Sequence, residues 1–477
     1  MTTIFWFRRD LRLSDNPALI EAVTKGDGDV VALFIVDPAL LASVGPARSA
    51  YLQATLSSLN DTLGGALTIR VGAPEDVLVA LAREVGARDV FATEDFAPAG
   101  RRRDTQVAAA LADADVTLHL LDSPYVVKPG TVKTKAGTPS KVFTPFRKVW
   151  ELYPVPAPLD APEGVRWQHL ETAPLSNVTA PSATERPDYF GDLPDEVPAF
   201  DPAVGERGAL AALDSFLPSV AAYDEQRNQP GVEGTSRLSP HLRFGTIHPR
   251  QILARTDAHP YGGTTGSLHF RSEIGWREFY ADVLFANPTT SWQNLQRSMD
   301  HLRVDSDAAA VERFQTWARG ETGYPIVDAG MRQLLTEGWM HNRVRMITAS
   351  FLIKHLHIDW RWGAKWFLWR LIDGDVASNQ HGWQWTAGSG TDASPFYRIF
   401  NPVLQAERFD PDGVYVKRWV PELRDVAAPD CLQPGGGSGL LTPAGYFPPI
   451  IDSATERDEA LRRYDEVKVA REAAARP

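Results

Sequence analysis

The sequence predicts a parallel α/β domain followed by an all-α domain. Three observations carry the prediction. Short apolar runs alternate with helical periods up to Leu121, ten prolines crowd between Pro154 and Pro202, and helical spacing takes over from Gly205 onward.

In the first part, Ile4–Arg8 reads as a strand, Pro17–Val23 as a helix and Val30–Val36 as a buried strand. Arg48–Leu63 reads as a helix, Leu67–Val71 as a strand, Pro74–Val85 as a helix and Asp89–Thr93 as a strand. Arg101–Ala112 and Val116–Leu121 complete the alternation as helix and strand. Apolar runs of this length between helices suit a five-stranded parallel, Rossmann-like sheet covered on both faces. No G-x-G-x-x-G follows the first strand, which argues against an ordinary dinucleotide site there. The proline-rich stretch has little periodicity and reads as a connector wrapping between domains. Beyond it, Leu334, Leu335, Val344, Ile347 and Phe351 recur at helical spacing within Ala329–Leu356. Arg361–Ile372 is a further helix, ended by Asp373-Gly374-Asp375, and Lys468–Arg476 reads as a short charged tail. The expected spans are 1–130 for the α/β domain, 131–203 for the connector and 204–477 for the helical domain.

Composition narrows the class. At 477 residues the chain exceeds one ordinary core. Its 43% hydrophobic and 23% charged content is that of a soluble globular protein. No apolar run is long enough for a bilayer, and the first residues lack a signal-peptide pattern. Cys431 alone excludes an internal disulfide or a cysteine metal cluster. A cytoplasmic monomer without a membrane partner is expected. The net charge of −11 excludes indiscriminate nucleic-acid binding but not a local basic patch. Tryptophan is the outlier, since 11 of 14 lie from Trp276 onward.

Four segments could carry chemistry. Tyr223 to Arg227, followed by Gly234-Thr235-Ser236-Arg237-Leu238-Ser239-Pro240, offers hydroxyls, backbone N–H groups and a cation. Such a turn cradles a pyrophosphate or simply starts a helix. In Phe270-Arg-Ser-Glu273-Ile-Gly-Trp276-Arg277-Glu278-Phe279-Tyr280, helical spacing sets Glu273, Trp276 and Arg277 on one face. That face suits base recognition by hydrogen bond and stacking, or an ordinary surface ion pair. In Gly338-Trp339-Met340-His341-Asn342-Arg343-Val344-Arg345-Met346, the arginines suit phosphates and Asn342 a base or a flavin edge. The fourth segment runs from Asp373-Gly374-Asp375 through Asn379 and Gly382-Trp383-Gln384-Trp385 to Phe396-Tyr-Arg-Ile-Phe400-Asn401-Pro402 and Gln405. Too few ligands surround its Asp-Gly-Asp for a metal site, so acceptors for ribose hydroxyls and flavin N–H groups are the better use.

Together, G-T-S-R-L-S-P, W-R-E-F, T-G-Y-P-I-V-D, G-W-M-H-N-R-x-R-M, I-D-G-D-x-A-x-N, G-W-Q-W and F-x-x-F-N-P, with W-F-R-R-D-L-R-L-x-D-N near the start, resemble the DNA photolyase/cryptochrome family. Order and spacing agree over nearly the whole chain, and the closest likeness is to bacterial class I cyclobutane pyrimidine dimer enzymes.

The resemblance implies an antenna domain, a connector and a helical domain that buries FAD. Tyr223, Thr235, Ser236, Arg237, Leu238 and Ser239 would hold the FAD phosphates and ribityl chain, with Phe270 an aromatic neighbour. Arg345, Asp373, Gly374 and Asp375 would contact the flavin region, and Asn379 would face flavin N5, where signalling members carry an acid. The partner would be DNA containing pyrimidine dimers, which photolyases take out of the stack. Trp276 and Trp385 would wall the lesion pocket. Glu273 and Asn342 would bond the bases, with Met346 beside them and Glu273 stabilising charge. Arg227, Arg277, Tyr280, Arg343 and Gln405 would meet the strand. Excited reduced FAD would give an electron to the dimer and recover it after the ring splits.

The Asn342-Arg343 pattern with Met346 lacks the histidines of (6-4) enzymes, and both pocket tryptophans remain, unlike the single-strand-preferring branch. A signalling cryptochrome is the alternative. Trp383 and Trp360 match the first two tryptophans of the family's surface-to-flavin electron relay. The expected third falls in Val304–Ala310, closest at Asp307, where there is no aromatic residue; Trp317 is a substitute relay or a packing residue. Trp362, Trp366 and Trp369 read as packing. Gly45–Leu52 and Glu94–Asp104 resemble the branch that binds 8-hydroxy-5-deazaflavin, with Arg48, Asp95 and Arg103 as contacts or ordinary helix-start charges. Methenyltetrahydrofolate or no antenna are the alternatives.

Overall fold

The computed structural model describes residues 2–178, 186–199, 203–391, 397–434 and 445–474. Its backbone clusters into two compact units. The first comprises Met1–Glu185, Phe200–Ala221 and Ser236–Pro288, the second Arg186–Ala199, Ala222–Thr235 and Thr289–Pro477. This differs from the expected spans, because helical residues 236–288 cluster with the sheet. The reason is in their side chains, which bond backbone groups at Pro124, Val126 and Val127.

The first unit holds β1 (Thr3–Phe7), β2 (Asp29–Val36), β3 (Leu67–Val71), β4 (Asp89–Thr93) and β5 (Thr117–Leu121). They form a parallel sheet in the order β3-β2-β1-β4-β5, with Arg166–Trp167 also pairing to β2. Central strands β1 and β2 are buried almost throughout, as their continuous apolar runs require. Helices α1 (Pro17–Lys25), α2 (Pro46–Thr62), α3 (Pro74–Val85) and α4 (Pro98–Ala112) each start on a proline. Proline at the first helical position loses no hydrogen bond, so α2 and α4 begin earlier than their apolar spacing suggests. Helices α5 (Phe143–Trp150) and α6 (Thr265–Ala286) complete what the site needs from this unit.

The second unit is helical. Its principal members are α7 (Ala308–Arg319), α8 (Pro325–Glu337), α9 (Asn342–Lys354), α10 (Trp360–Arg370), α11 (Val376–Ala387), α12 (Pro402–Phe409) and α13 (Ser453–Ala474). The apolar spacing within Ala329–Leu356 falls on two helices, α8 and α9. Gly338 caps α8 at φ 62, a left-handed turn that glycine adopts without strain, and His341 then caps α9 by accepting from Arg343 N at 3.2 Å. The connector residues of this unit are ordered by aromatic packing. Phe190 is 1% exposed, and its ring lies 6.0 Å from Phe314 and 5.0 Å from Trp366. Trp369 donates from Nε1 to Asp195 Oδ1 at 2.6 Å. No described helix is long and apolar enough to cross a membrane.

His355 and His381 are buried in this unit, and burial lowers each pKa to about 4. The unfolded chain binds those protons near pH 6.5, so the stability is fully present above that pH and is lost as pH falls toward 4. Moving from pH 7 to pH 5 should cost about 2 kcal/mol per histidine. Denaturant titrations at both pH values check this; His355→Gln should shrink the difference by about 2 kcal/mol.

Candidate functional site

In the first unit the expected residues gather on α6. Glu273, Trp276, Arg277 and Tyr280 follow at helical spacing, with Phe270 one turn earlier and buried 4.8 Å from Phe216. Trp276 is half-buried. One face stacks on Phe143 at 3.8 Å and 14°, and the Tyr280 ring is 5.5 Å away. This packing fixes the indole while keeping part of it accessible to a stacking partner.

Arg277, half-buried, is engaged within its own unit. Its Nη1 donates to Pro124 O at 2.9 Å, its Nη2 to Leu242 O at 3.2 Å, and its guanidinium lies 4.5 Å from the Tyr125 ring. Its neighbour Glu278 is a structural residue that sequence reading missed, although W-R-E-F contains it. Its carboxylate accepts from Val126 N, from Val127 N at 3.0 Å and from Trp150 Nε1 at 2.6 Å. Burial pushes its pKa up to about 7 against those three hydrogen bonds.

Within Ser236–Ser239, Arg237 takes φ 52, a left-handed conformation uncommon for a side-chain-bearing residue, and Ser236 Oγ accepts from Leu238 N at 3.4 Å. Leu238 is buried and Ser239 exposed at the start of a short helix. Of the antenna candidates, Asp95 and Arg103 meet: Arg103 Nη2 donates to Asp95 Oδ2 at 3.3 Å and to Asp104 Oδ1 at 2.8 Å. Arg8 also pairs with Asp104, and the two guanidiniums lie 4.7 and 5.1 Å from the Trp6 ring. These charges thus have partners within the unit. Arg48 is 7% exposed on α2.

The second unit assembles a denser set. Asp373 is 7% exposed. Its Oδ2 accepts from Arg345 Nη2 at 2.8 Å, while its Oδ1 is buried with no hydrogen-bond partner among the described residues. A buried carboxylate oxygen without a donor is rare, because desolvation is then uncompensated. Gly374 turns the chain, and Asp375 caps α11 by accepting from Ser378 N at 3.0 Å. One turn on, Asn379 Nδ2 donates to Ala364 O at 3.1 Å and to Gln380 Oε1 at 2.7 Å. Both amide hydrogens are thereby used, and the oxygen remains as an acceptor. Tyr223 is buried, with the Arg227 guanidinium 5.8 Å from its ring, and Thr235 is half-buried.

Asn342 is exposed at the first position of α9, with Met346 one turn along and half-buried. Arg343 donates from Nε and Nη2 to Asn228 Oδ1 at 3.3 and 2.8 Å and lies 4.3 Å from the Phe409 ring. Burial, together with repulsion from Arg227 and Arg408, lowers its pKa to about 10. Three like charges drawn together suit an anion such as a phosphate. Arg408 is a candidate that sequence reading missed; it is exposed, three residues after half-buried Gln405 and on the same face of α12. Trp385 on α11 is half-buried, with Arg398 5.4 Å from its ring, and α9 packs against both α11 and α12.

Trp383 is 3% exposed, at 5.0 Å from Phe367 and 6.3 Å from Trp317. A side chain at Gly363 would collide with the Trp383 ring. Trp360 donates from Nε1 to Asn294 Oδ1 at 2.9 Å. Trp317 is fully buried and donates to Thr348 O at 3.1 Å. At the position expected for a third tryptophan, Asp307 caps α7 by accepting from Ala310 N at 2.9 Å.

A sheet unit and a helical unit with buried acceptors for ring N–H groups define a flavoprotein of the α/β-plus-helical kind. Comparison with known proteins agrees. The family description "DNA photolyase" matches residues 3–163, and "FAD binding domain of DNA photolyase" matches residues 270–466. The chain is 41% identical to a deoxyribodipyrimidine photo-lyase from Agrobacterium fabrum, over 98% of each chain. A solved class III photolyase from Agrobacterium tumefaciens is 39% identical, with a TM-score of 0.88 over 98% of each chain. A solved cryptochrome from Synechocystis sp. PCC6803 is 27% identical, with a TM-score of 0.85 over 97% of this chain and 98% of that one. The chain belongs to the DNA photolyase/cryptochrome family, and its helical region is an FAD-binding domain of that family.

The open acceptor on Asp373 fits that cofactor. Asp373→Asn should lower FAD retention about tenfold or more, because the Arg345 charge loses its partner. The flavin-to-protein absorbance ratio after gel filtration reads this; full retention would refute it.

Proposed function

We propose that this protein uses light to split cyclobutane pyrimidine dimers in DNA. The observation that carries the reading is the Asn379 amide, whose hydrogens are bonded to Ala364 O and Gln380 Oε1 so that its oxygen remains an acceptor. An acceptor toward N5 favours a flavin protonated there, the reduced form that repair needs. FAD, when bound and reduced, supplies under light the electron that opens the cyclobutane ring and takes it back.

The protein's own residues do the rest. Asp373 offers its unpartnered oxygen to a ring N–H, and Arg345 fixes the carboxylate through its other oxygen. Tyr223, Thr235, Ser236 to Ser239 and Phe270 are assigned to the cofactor. Asn342 and Glu273 are assigned to the pyrimidine edges, with Met346, Trp276 and Trp385 as the apolar walls. Arg227, Arg343, Gln405 and Arg408 are assigned to the strand; Tyr280 braces Trp276, and Arg277 braces α6.

Support for a cyclobutane lesion over a (6-4) product comes from His341, which is 3% exposed and spends Nδ1 capping α9. Asn379, where signalling members carry an acid, argues against a cryptochrome. The proposed relay runs from Trp383 to Trp360, with Trp317 as a second neighbour of Trp383. For the antenna we propose 8-hydroxy-5-deazaflavin; mass analysis of the extracted chromophore checks it, and methenyltetrahydrofolate or no chromophore would refute it.

Reduced protein should restore a defined thymine dimer under blue light and leave it intact in the dark; no repair in the light would reject the function. Arg343→Ala and Arg408→Ala should each weaken binding to dimer-containing DNA and reduce the slope of log affinity against log salt by about 1. Light-driven reduction of the oxidised protein should be slower than in three-tryptophan relatives, and Trp317→Phe should slow it further. An unchanged rate in that variant would leave Trp317 a packing residue.

A further inference from the structure

Trp360 borders a cavity that no part of the proposed repair chemistry uses. Its volume is about 370 Å³, within the range of small-molecule sites. Met299, Leu302, Val304, Ile353, Ile358 and Ala387 supply apolar walls, and Trp360 lies among them. Two arginines and two carboxylates also line it, but they neutralise one another: Arg297 pairs with Asp300 at 2.9 Å and Arg361 with Asp359 at 2.9 Å. Ser389 is 1% exposed, and its Oγ has no hydrogen-bond partner among the described residues. An apolar space with paired rim charges and one unpartnered buried hydroxyl suits a neutral, flat molecule carrying one polar group.

One wall stands where a relay's terminal tryptophan is missing. Val304 is flanked by Arg303, which pairs with Glu459 and Glu466, and by Asp305, which pairs with Arg313 and Arg463. Asp305 N also donates to His357 O at 2.8 Å. These bonds hold the Val304 wall in place beside the opening.

We propose that this cavity binds a neutral phenol that refills Trp360 with electrons, a reading that rests on the relay assigned above. Trp360 Nε1 donates to an amide oxygen, Asn294 Oδ1, and Asn294 Nδ2 donates to Asp300 Oδ1 at 2.8 Å. The amide is not a base, so an oxidised Trp360 keeps its proton and remains a strong oxidant. The phenol gives one electron to Trp360 and releases its hydroxyl proton to solvent, leaving a phenoxyl radical. Trp360 returns to its closed-shell state, and the flavin gains the one electron passed inward through Trp383. Trp317, fully buried, offers no such approach.

The probe is p-cresol, with 4-methylanisole as the analogue that has no hydroxyl proton to lose. In the dark, saturation-transfer NMR on the holoprotein should show saturable binding of p-cresol. Val304→Phe, at an exposed position, should weaken it by about tenfold or more by filling the cavity, and Ser389→Ala should weaken it less. After a laser flash, saturating p-cresol should shorten the tryptophan-radical lifetime by about tenfold and yield phenoxyl absorption, while 4-methylanisole does neither. In Val304→Phe the lifetime should depend only linearly on p-cresol. Non-saturable binding, or saturable binding without a shortened lifetime, would overturn the proposal. Trp360→Phe without phenol tests the relay separately. An unchanged radical signal there means that the relay reading itself has failed. A reduced signal there, with no p-cresol effect in the parent protein, overturns the phenol site alone.

Discussion

The second unit depends on one close approach, the packing of α11 against α10 at Gly363. A side chain there would meet the Trp383 ring. The same approach lets Asn379, one turn earlier on α11, reach the carbonyl of Ala364, the residue after Gly363. Trp360 lies one turn before Gly363 on α10. The absence of one side chain therefore sets both the orientation of the proposed flavin acceptor and the packing of the proposed relay.

The first unit solves a different problem, that of holding a helix of aromatic and charged residues firmly against loops. Glu278 gathers three donors from Val126, Val127 and Trp150, and Arg277 ties Pro124 to Leu242. Both lie within the W-R-E-F segment and bond to groups of their own unit. Their work is to fix Trp276, whose one stacked face is supplied by Phe143 from the connector.

The sheet was legible because each strand is an apolar run and each covering helix has its own period. Family motifs led to Asp373, Asn379, Asn342 and the tryptophans because those residues occupy short, ordered segments. Less was visible where a residue's job depends on a distant partner. The bonds of Arg277 to two backbone carbonyls and the burial of Glu278 are not visible in W-R-E-F itself. Arg408 has no motif, and its place beside Arg227 and Arg343 follows only from the packing of α12.

The arginine cluster also sets a limit on how robust this unit can be. Arg343 is half-buried, and burial together with repulsion from Arg227 and Arg408 disfavours its charged form. That arrangement opposes folding, because like charges drawn together repel one another. On the proposed strand contact, neutral replacements there would firm the fold and weaken strand binding together, so stability and affinity are traded against one another at one spot.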